Sequence, residues 1–404
     1  LLLVTAGSAQ ALDPNKLITQ YGHTAWRVQD GYLTYPAGIA QTTDGYIWIG
    51  TREGLLRFDG VKFTIWTPPA GQYLPGRGFS ALLGTRDGSL WIGTPGGLSQ
   101  LKDGQLINYA PPQGSGGVYA IIEDEAGGVW FTRYLITDGK GPLCRVKDKE
   151  MRCYGKEDGI AATYGLGLAK DTAGNIWFAS AKLWRWSPES VGVFFAEELK
   201  GTSGEGVIDA TLGPSGTMWA AIDGTGPDLG VRYYSDGKWL SYTVPGFDGA
   251  TVRADVLYLD RHNSMWVGTQ SQGVYRLHDG VADHFGTENG LSGRKIDSIY
   301  EDREGNLWVV TENGVDMFRD MPVVNFSTTE GLSGKGVNSI IALRDNSIWT
   351  GSEGAVNILR PDGGSGITTL KGLPGKSALA MLEDRRGRIW LGVDDKLMIY
   401  EDGR

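Results

Sequence analysis

The sequence predicts an all-β chain whose four-stranded antiparallel blades form a propeller, and three observations predict it. A tryptophan, usually followed by a Gly-Thr-x-x-Gly-like run, recurs at Trp48, Trp91, Trp130, Trp177, Trp219, Trp266, Trp308, Trp349 and Trp390. Successive copies lie 43, 39, 47, 42, 47, 42, 41 and 41 residues apart, and a period of about 40–50 residues with strand patterning is the mark of a propeller. Glycine, 62 of 404 residues, falls at turn positions and so punctuates short strands instead of signalling disorder.

Each copy supplies four strands, a to d. Strand a is an apolar run such as Ser298-Ile299-Tyr300 or Ala120-Ile121-Ile122. An Asp-x-x-Gly turn follows, as in Asp302 to Gly305 and Asp384 to Gly387. Its glycine suits positive φ, and its aspartate can accept from turn amides. Strand b carries the tryptophan, whose ring is expected to fill the wedge between neighbouring sheets. After the Gly-Thr-x-x-Gly turn comes strand c, for example Leu55 to Phe58, and an Asp-Gly turn (Asp59-Gly60, Asp103-Gly104, Asp279-Gly280) leads into strand d. No Lys-Ser/Thr follows these glycines, so they form no phosphate loop.

A ring must close without an open edge. The segment Thr24 to Val28, with Trp26, has the shape of a stray strand d and is expected to complete the last blade. After the seventh tryptophan the chain reads FRDMPVVNFSTTEGLSG, where Asp-Met-Pro replaces the usual Asp-Gly turn. The expectation is a seven-bladed propeller over 12–321, closed by the N-terminal strand, followed over 322–404 by two blades of a second, incomplete propeller.

The N-terminal LLLVTAGSAQALDPN resembles the rear of a secretory signal, with Ala9-Gln10-Ala11 as the small-x-small cleavage site, which makes residues 1–11 a signal remnant. A frayed apolar tail is the alternative. No later stretch has the roughly 18–20 apolar residues needed to span a membrane. A net charge of 38 − 47 = −9, with the acids scattered, argues against nucleic acid as a partner.

The two cysteines, Cys144 and Cys153, flank Asp148-Lys149. If that pair forms the c–d turn, the cysteines stand opposite each other as a non-hydrogen-bonded cross-strand pair suited to a disulfide, in keeping with an oxidising compartment. Two free thiols are the alternative, because Lys149 is ill suited to positive φ. A lone pair makes no zinc site. The four histidines, His23, His262, His278 and His284, fall at separate places in the repeat, and no Gly-x-Ser-x-Gly elbow is present. The expectation is therefore no catalytic residue, no metal and no cofactor.

Irregularity points to a ligand site. The b–c turn is short in most copies but departs from the pattern in three consecutive ones: TRYLITDGKGPLCR from Thr132, ASAKLWRW from Ala179 and AIDGTGPDLG from Ala221. Loops released from a repeat and clustered on one face are where binding residues concentrate. The candidates are Arg133, Tyr134, Asp138 and Lys140, then Lys182 and Trp184 as a stacking surface, then Asp223 and Asp228 as acceptors. Loops that have drifted without any ligand are the alternative.

The repeat Asp-x-x-Gly-x-[Ile/Leu]-Trp-[Ile/Val]-Gly-Thr-x-x-Gly-[Leu/Val], with connectors such as Glu288-Asn-Gly-Leu291, resembles the two-component regulator propeller family over nearly the whole chain after residue 12. The resemblance implies the periplasmic sensor region of a histidine kinase, homodimeric when intact and held in the membrane by a C-terminal helix outside these residues. It also implies a nutrient, oligosaccharide or other small-molecule ligand. The family has no shared set of ligand residues. An exported carbohydrate- or protein-binding propeller without a kinase is the second reading, and a streptogramin-lyase-like enzyme the third.

Overall fold

Each tryptophan repeat folds into an antiparallel sheet because its turns are built from residues that take left-handed φ or accept turn amides. In the seventh repeat Gly305 has φ of 83°, and the amide of Asn306 donates to Asp302 Oδ1 at 2.8 Å. The second oxygen of Asp302 accepts the indole N–H of Trp308 at 2.7 Å. The same aspartate-to-indole bond recurs at Asp124–Trp130, Asp171–Trp177, Asp260–Trp266 and Asp384–Trp390. Thr42 and Ser347 stand in as acceptors for Trp48 and Trp349. The turn thus satisfies the one polar atom of a ring that is otherwise buried.

The computed structural model describes residues 11–401 apart from 32–33, 80, 110–115, 135, 137–138, 188–190, 194–205, 324, 329, 354, 361–366, 372 and 374–376. The chain divides into two units. The first holds Gly22–Asp320 with the N-terminal residues up to Pro14, and the second holds Asn15–Tyr21 with Met321–Arg404. Residues 15–21, expected with the first unit, thus group with the second.

In the first unit the described residues form seven four-stranded sheets. Their innermost strands are Pro36–Gln41, Ala81–Gly84, Gly117–Glu123, Leu168–Lys170, Val207–Leu212, Ala254–Leu259 and Ile296–Glu301. Each packs on the next, and Ile296–Glu301 packs back on Pro36–Gln41, so the row of sheets is a closed circle. The core is a set of wedges between sheets; one, for example, joins Ile39, Ile47 and Phe58 of the first sheet to Trp308 and Val310 of the seventh.

The outer strand of the seventh sheet comes from the N-terminus. Gly22–Arg27 pairs antiparallel with Gly314–Arg319, His23 opposite Phe318 and Arg27 opposite Gly314. Trp26 stacks on Trp308 at 5.6 Å between ring centres, and His23 Nε2 lies 2.8 Å from the buried Asp316 carboxylate.

The glycine of Trp-x-Gly-Thr is a contact residue and not part of the turn. A Cβ on Gly93 would lie 2.8 Å from Val118, and one on Gly268 would lie 2.7 Å from Ile296. In both cases the neighbour is the innermost strand of the next sheet. The threonine closes the turn, Thr51 Oγ1 donating to Gly54 O at 2.8 Å.

Cys144 and Cys153 pair across the Leu143–Lys147 and Glu150–Tyr154 hairpin and are disulfide-bonded, with Cα atoms 3.9 Å apart. Lys149 adopts φ of 67° beside Asp148 at 51°, so the lysine does take the positive φ that the tight turn demands. In the second unit, Val337–Ala342, Ile348–Ser352, Ala355–Leu359 and Thr368–Lys371 form an eighth sheet. Ala378–Glu383, Ile389–Val393 and Lys396–Tyr400 form a ninth, three-stranded one packed on it.

Candidate functional site

The b–c turns and the connections from strand d to the next strand a open on one face, and the irregular loops lie there. Arg133 takes the place that Thr51 holds in the first sheet, at the end of its second strand. It is fully buried. Its Nη1 donates to Gly141 O at 3.3 Å and lies 3.9 and 3.7 Å from the sulfurs of Cys144 and Cys153. The arginine closes its own longer loop, as the threonine hydroxyl closes the short one, so the expectation of a rim charge is corrected. Tyr134 lies over Gly117, where a Cβ would come within 2.6 Å of the ring, and meets Tyr119 edge-on at 6.2 Å. Lys140 is exposed. Asp138 lies outside the described residues.

The fourth copy is a second correction. Its b–c turn is not extended: the pair Ala179–Leu183 encloses three residues, where Gly50–Leu55 of the first sheet encloses four. Lys182 is half-buried in that turn. Trp184 belongs to the strand Leu183–Trp186 and is 5% exposed, stacked on Phe178. It is a core ring, so the stacking surface expected there is absent. In the fifth copy, Asp223 is fully buried and bound by Arg253 through Nε at 2.8 Å and Nη2 at 2.6 Å. Asp228 is exposed, 3.9 Å from Arg232 Nη2, whose guanidinium pKa is pushed down by its burial and only partly restored by Asp228.

Arg253 leads from Asp223 to a cluster that motif reading passed over. It precedes Ala254–Leu259, an innermost strand with an extra residue, Asp255, bulged out of register. The next sheet bulges at the equivalent Asp297, and in the fifth sheet Asp209 is the first residue paired after the bulge. Bulges re-aim side chains and gather at functional rims. Asp255 accepts from Gln270 Nε2 at 2.9 Å. Lys295 Nζ donates to Asp297 at 2.5 Å, and Glu312 accepts from the amides of Arg294 and Lys295. Asp209 bridges sheets, accepting from its neighbour Ala210 and from Leu257 of the sixth sheet, both at 2.9 Å.

Burial pushes the Asp209 carboxyl up to about 7; the two amides oppose the shift and Asp255 adds to it. Burial likewise raises Asp255, against Gln270, Lys295 and Arg253. Burial works against the Lys295 charge, yet Asp297, Asp255 and Glu312 hold its ammonium above the ordinary value. The rim thus carries carboxyl, amide, guanidinium and ammonium groups at the d–a ends of three consecutive innermost strands. Such a set can hydrogen-bond a polar ligand, and its protonation is tunable near neutrality. A sequence signal was available: an acid just inside strand a in three successive copies, VIDATL, ADVLYL and IDSIYE.

Among the described residues no group of three or more His, Cys, Asp or Glu is arranged to hold a metal. The histidines stay apart. His23 pairs with Asp316, His262 Nδ1 lies 2.8 Å from Leu12 O, and His278 Nδ1 lies 3.1 Å from Ser264. His284 sits in an outer strand. A cleft of about 360 Å³ in the second unit, lined by Trp349, Arg360, Arg386 and Tyr400 among others, lies where the ninth sheet has only three strands and has no part in the rim.

The architecture is that of a β-propeller. Residues 290–313 and 372–395 match the family profile described as two component regulator propeller. No curated protein gives a significant sequence match. Among solved structures, the chain is similar to an extracellular domain assigned to hybrid two component system BT3049 of B. thetaiotaomicron. The TM-score is 0.69 and the identity 17%, over 95% of this chain and 53% of that one. A second such domain, BT4673 of the same organism, gives a TM-score of 0.58 at 16% identity over 95% and 52%. The chain therefore spans about half the length of these domains. Virginiamycin B lyase from Staphylococcus aureus gives a TM-score of 0.58 at 16% identity, over 75% of this chain and 100% of that one.

Proposed function

We propose that this chain is the ligand-sensing input region of an exported two-component sensor, and that the rim of Asp209, Arg253, Asp255, Lys295 and Asp297 receives the ligand. The observation that carries the reading is this mixed-charge cluster, built on bulged innermost strands on the face that also carries the irregular loops. The two matched family segments and the fold shared with sensor domains support the signalling role. The ligand class is a nutrient or oligosaccharide rich in hydroxyls, which carboxylate and amide acceptors and cationic donors bind directionally. Signalling requires that ligand favour one of two states by differential affinity, passed through a dimer to a kinase on the far side of the membrane. The periplasm is the compartment consistent with the disulfide and the signal-like N-terminus. Among the described residues no helix is long and apolar enough to cross a membrane.

The test is a thermal-shift screen of mono- and oligosaccharides against the chain. A true ligand at about 100 Kd adds roughly 2.7 kcal/mol, and Asp255→Asn with Lys295→Met should abolish that shift. A ligand whose shift survives both substitutions would move the site away from the rim.

A further inference from the structure

Two positions in each repeat set the mouth of the first unit. One is the bulge residue of the innermost strand, just before the residue that faces the glycine of Trp-x-Gly or its counterpart. The other lies two residues earlier. In the sixth sheet, where Val256 faces Gly268, they are Asp255 and Arg253. In the seventh, where Ser298 faces Val310, they are Asp297 and Lys295. In the first sheet Gly38 faces Gly50, which puts Ala37 and Tyr35 at the same places. In the third, Val118 faces Arg133 and Ile121 faces Phe131, so Tyr119 takes the bulge position. The charged rim is thus continued by aromatic rings, Tyr35 being 54% and Tyr119 37% exposed. The first sheet adjoins the seventh at the closure, and the third stands across the circle from the junction of the sixth and seventh.

Tyr35 holds its place under strain. Its φ is 43°, a left-handed value that is an outlier for a bulky side chain. The same count in the second and fifth sheets lands on Gly78 and Gly206, at φ of 85° and 75°. Other repeats therefore give this backbone to glycine, and the first sheet places an aromatic there. Arg52 of the b–c turn steadies it. The Arg52 amide donates to Tyr35 O at 3.3 Å, and its guanidinium lies over the ring, 4.8 Å from the centre. Strain kept at an exposed ring beside a polar cluster points to a use for that ring. Tyr119 is oriented by its edge-on contact with Tyr134 at 6.2 Å.

A sugar matches both halves of the mouth. Its C–H bonds carry partial positive charge and lie well on the negative face of an aromatic ring, while its hydroxyls suit the carboxylates and amide of the rim. The rim also disfavours an anion. Arg253 is committed to Asp223, Lys295 to Asp297 and Arg52 to the ring of Tyr35. Asp255 and Glu312 are held by amides, those of Gln270 and of Arg294 and Lys295, so an anionic ligand would meet an excess of acids. We propose that the mouth binds a neutral oligosaccharide, with one pyranose unit stacked on Tyr35 beside Lys295, Asp297 and Glu312 and, in longer chains, a later unit stacked on Tyr119 across the circle. This deepens, and rests on, the assignment of the rim as the ligand site.

The test is calorimetric titration of the full chain with cellobiose through cellohexaose and maltose through maltohexaose, and with galacturonic acid oligomers of matched length. A neutral series should bind, tighter as it lengthens. Tyr35→Ala should weaken every length about tenfold, and Tyr119→Ala only the longer members. Tyr35→Phe and Tyr119→Phe should bind as the parent does, because the ring and not its hydroxyl makes the contact. Tyr35→Gly should weaken binding as Tyr35→Ala does, yet raise the thermal midpoint by relieving the left-handed backbone. Binding abolished by Asp255→Asn with Lys295→Met but unmoved by both alanine variants would overturn the stacking and leave the rim as the site. Binding that needs the tyrosines and ignores those two rim substitutions would reject the rim, and the spanning mode with it. Tighter binding of the galacturonates would overturn the neutral class. No binding by any series would overturn the proposal and leave the rim to a ligand that is not a saccharide.

Discussion

The seventh and ninth sheets are the same repeat in two settings, one with a neighbour on its following face and one without. Both keep the turn aspartate on the indole nitrogen, Asp302 to Trp308 at 2.7 Å and Asp384 to Trp390 at 3.1 Å. They differ in everything that faces forward. Trp308 is buried and Trp390 half-buried; Val315 is sealed and Leu397 open. Turn chemistry therefore belongs to the single repeat, while burial belongs to the pair. Stability in such arrays is a sum of local and nearest-neighbour contributions, and this chain displays the two separately.

Paired substitutions break that comparison most sharply. Trp308→Ala should cost about 3–5 kcal/mol, the range for a fully buried large ring. Trp390→Ala should cost less, roughly 2 kcal/mol, because its ring is only partly buried. Denaturant titration of each variant reads the difference, and equal losses would mean that the ring's contribution is made within its own sheet.

A smaller effect is expected at the rim. The folded pKa of Asp209 stands above its unfolded value, so the native state holds a proton that the unfolded chain releases. Stability should fall as pH rises from about 4 to about 7 and level off above. Asp209→Asn should flatten that slope in urea midpoints measured across the range; an unchanged slope would place the titration elsewhere. The smallest contrast is between two turn arginines: Arg303, which donates to Gln41 Oε1 and to the carbonyls of Thr42 and Thr43 across the ring closure, and the exposed Arg385. Arg303→Ala should cost about 1 kcal/mol through its lost bonds across the ring closure, and Arg385→Ala should be neutral within about 0.5 kcal/mol.

Much of the architecture was legible because it rests on short-range chemistry. The Asp-x-x-Gly turns, the tryptophan strands and the cysteine hairpin each signal within about ten residues. The closing strand was legible too, though expected at Thr24 to Val28 and found at Gly22–Arg27. The fourth b–c turn misled for a physical reason. Ser180 and Lys182 replace the threonine and glycine that mark the turn, so its signature vanished while the turn itself became one residue shorter, and Trp184 passed for a loop residue. Arg133 and Asp223 were placed on the right face, but burial commits both to partners within the fold. The rim acids were missed because each is unremarkable in its own repeat and only their recurrence at or beside the bulge in three successive strands singles them out. Contacts between a turn arginine and the next sheet, such as Arg303 to Gln41, are likewise invisible one repeat at a time.

The outer strand of the seventh sheet also fixes an order of events. Gly22–Arg27 leaves the ribosome nearly three hundred residues before its partner Gly314–Arg319. Until then the first sheet has no cover on the side that the seventh will fill, and the N-terminal strand has nothing to pair with. Sheets two to six can form as they are made, each on its predecessor, but the ring can shut only as a final long-range step of high contact order. A nascent chain stalled before residue 314 should therefore present two open faces and a loose strand, the kind of surface that holdase chaperones bind.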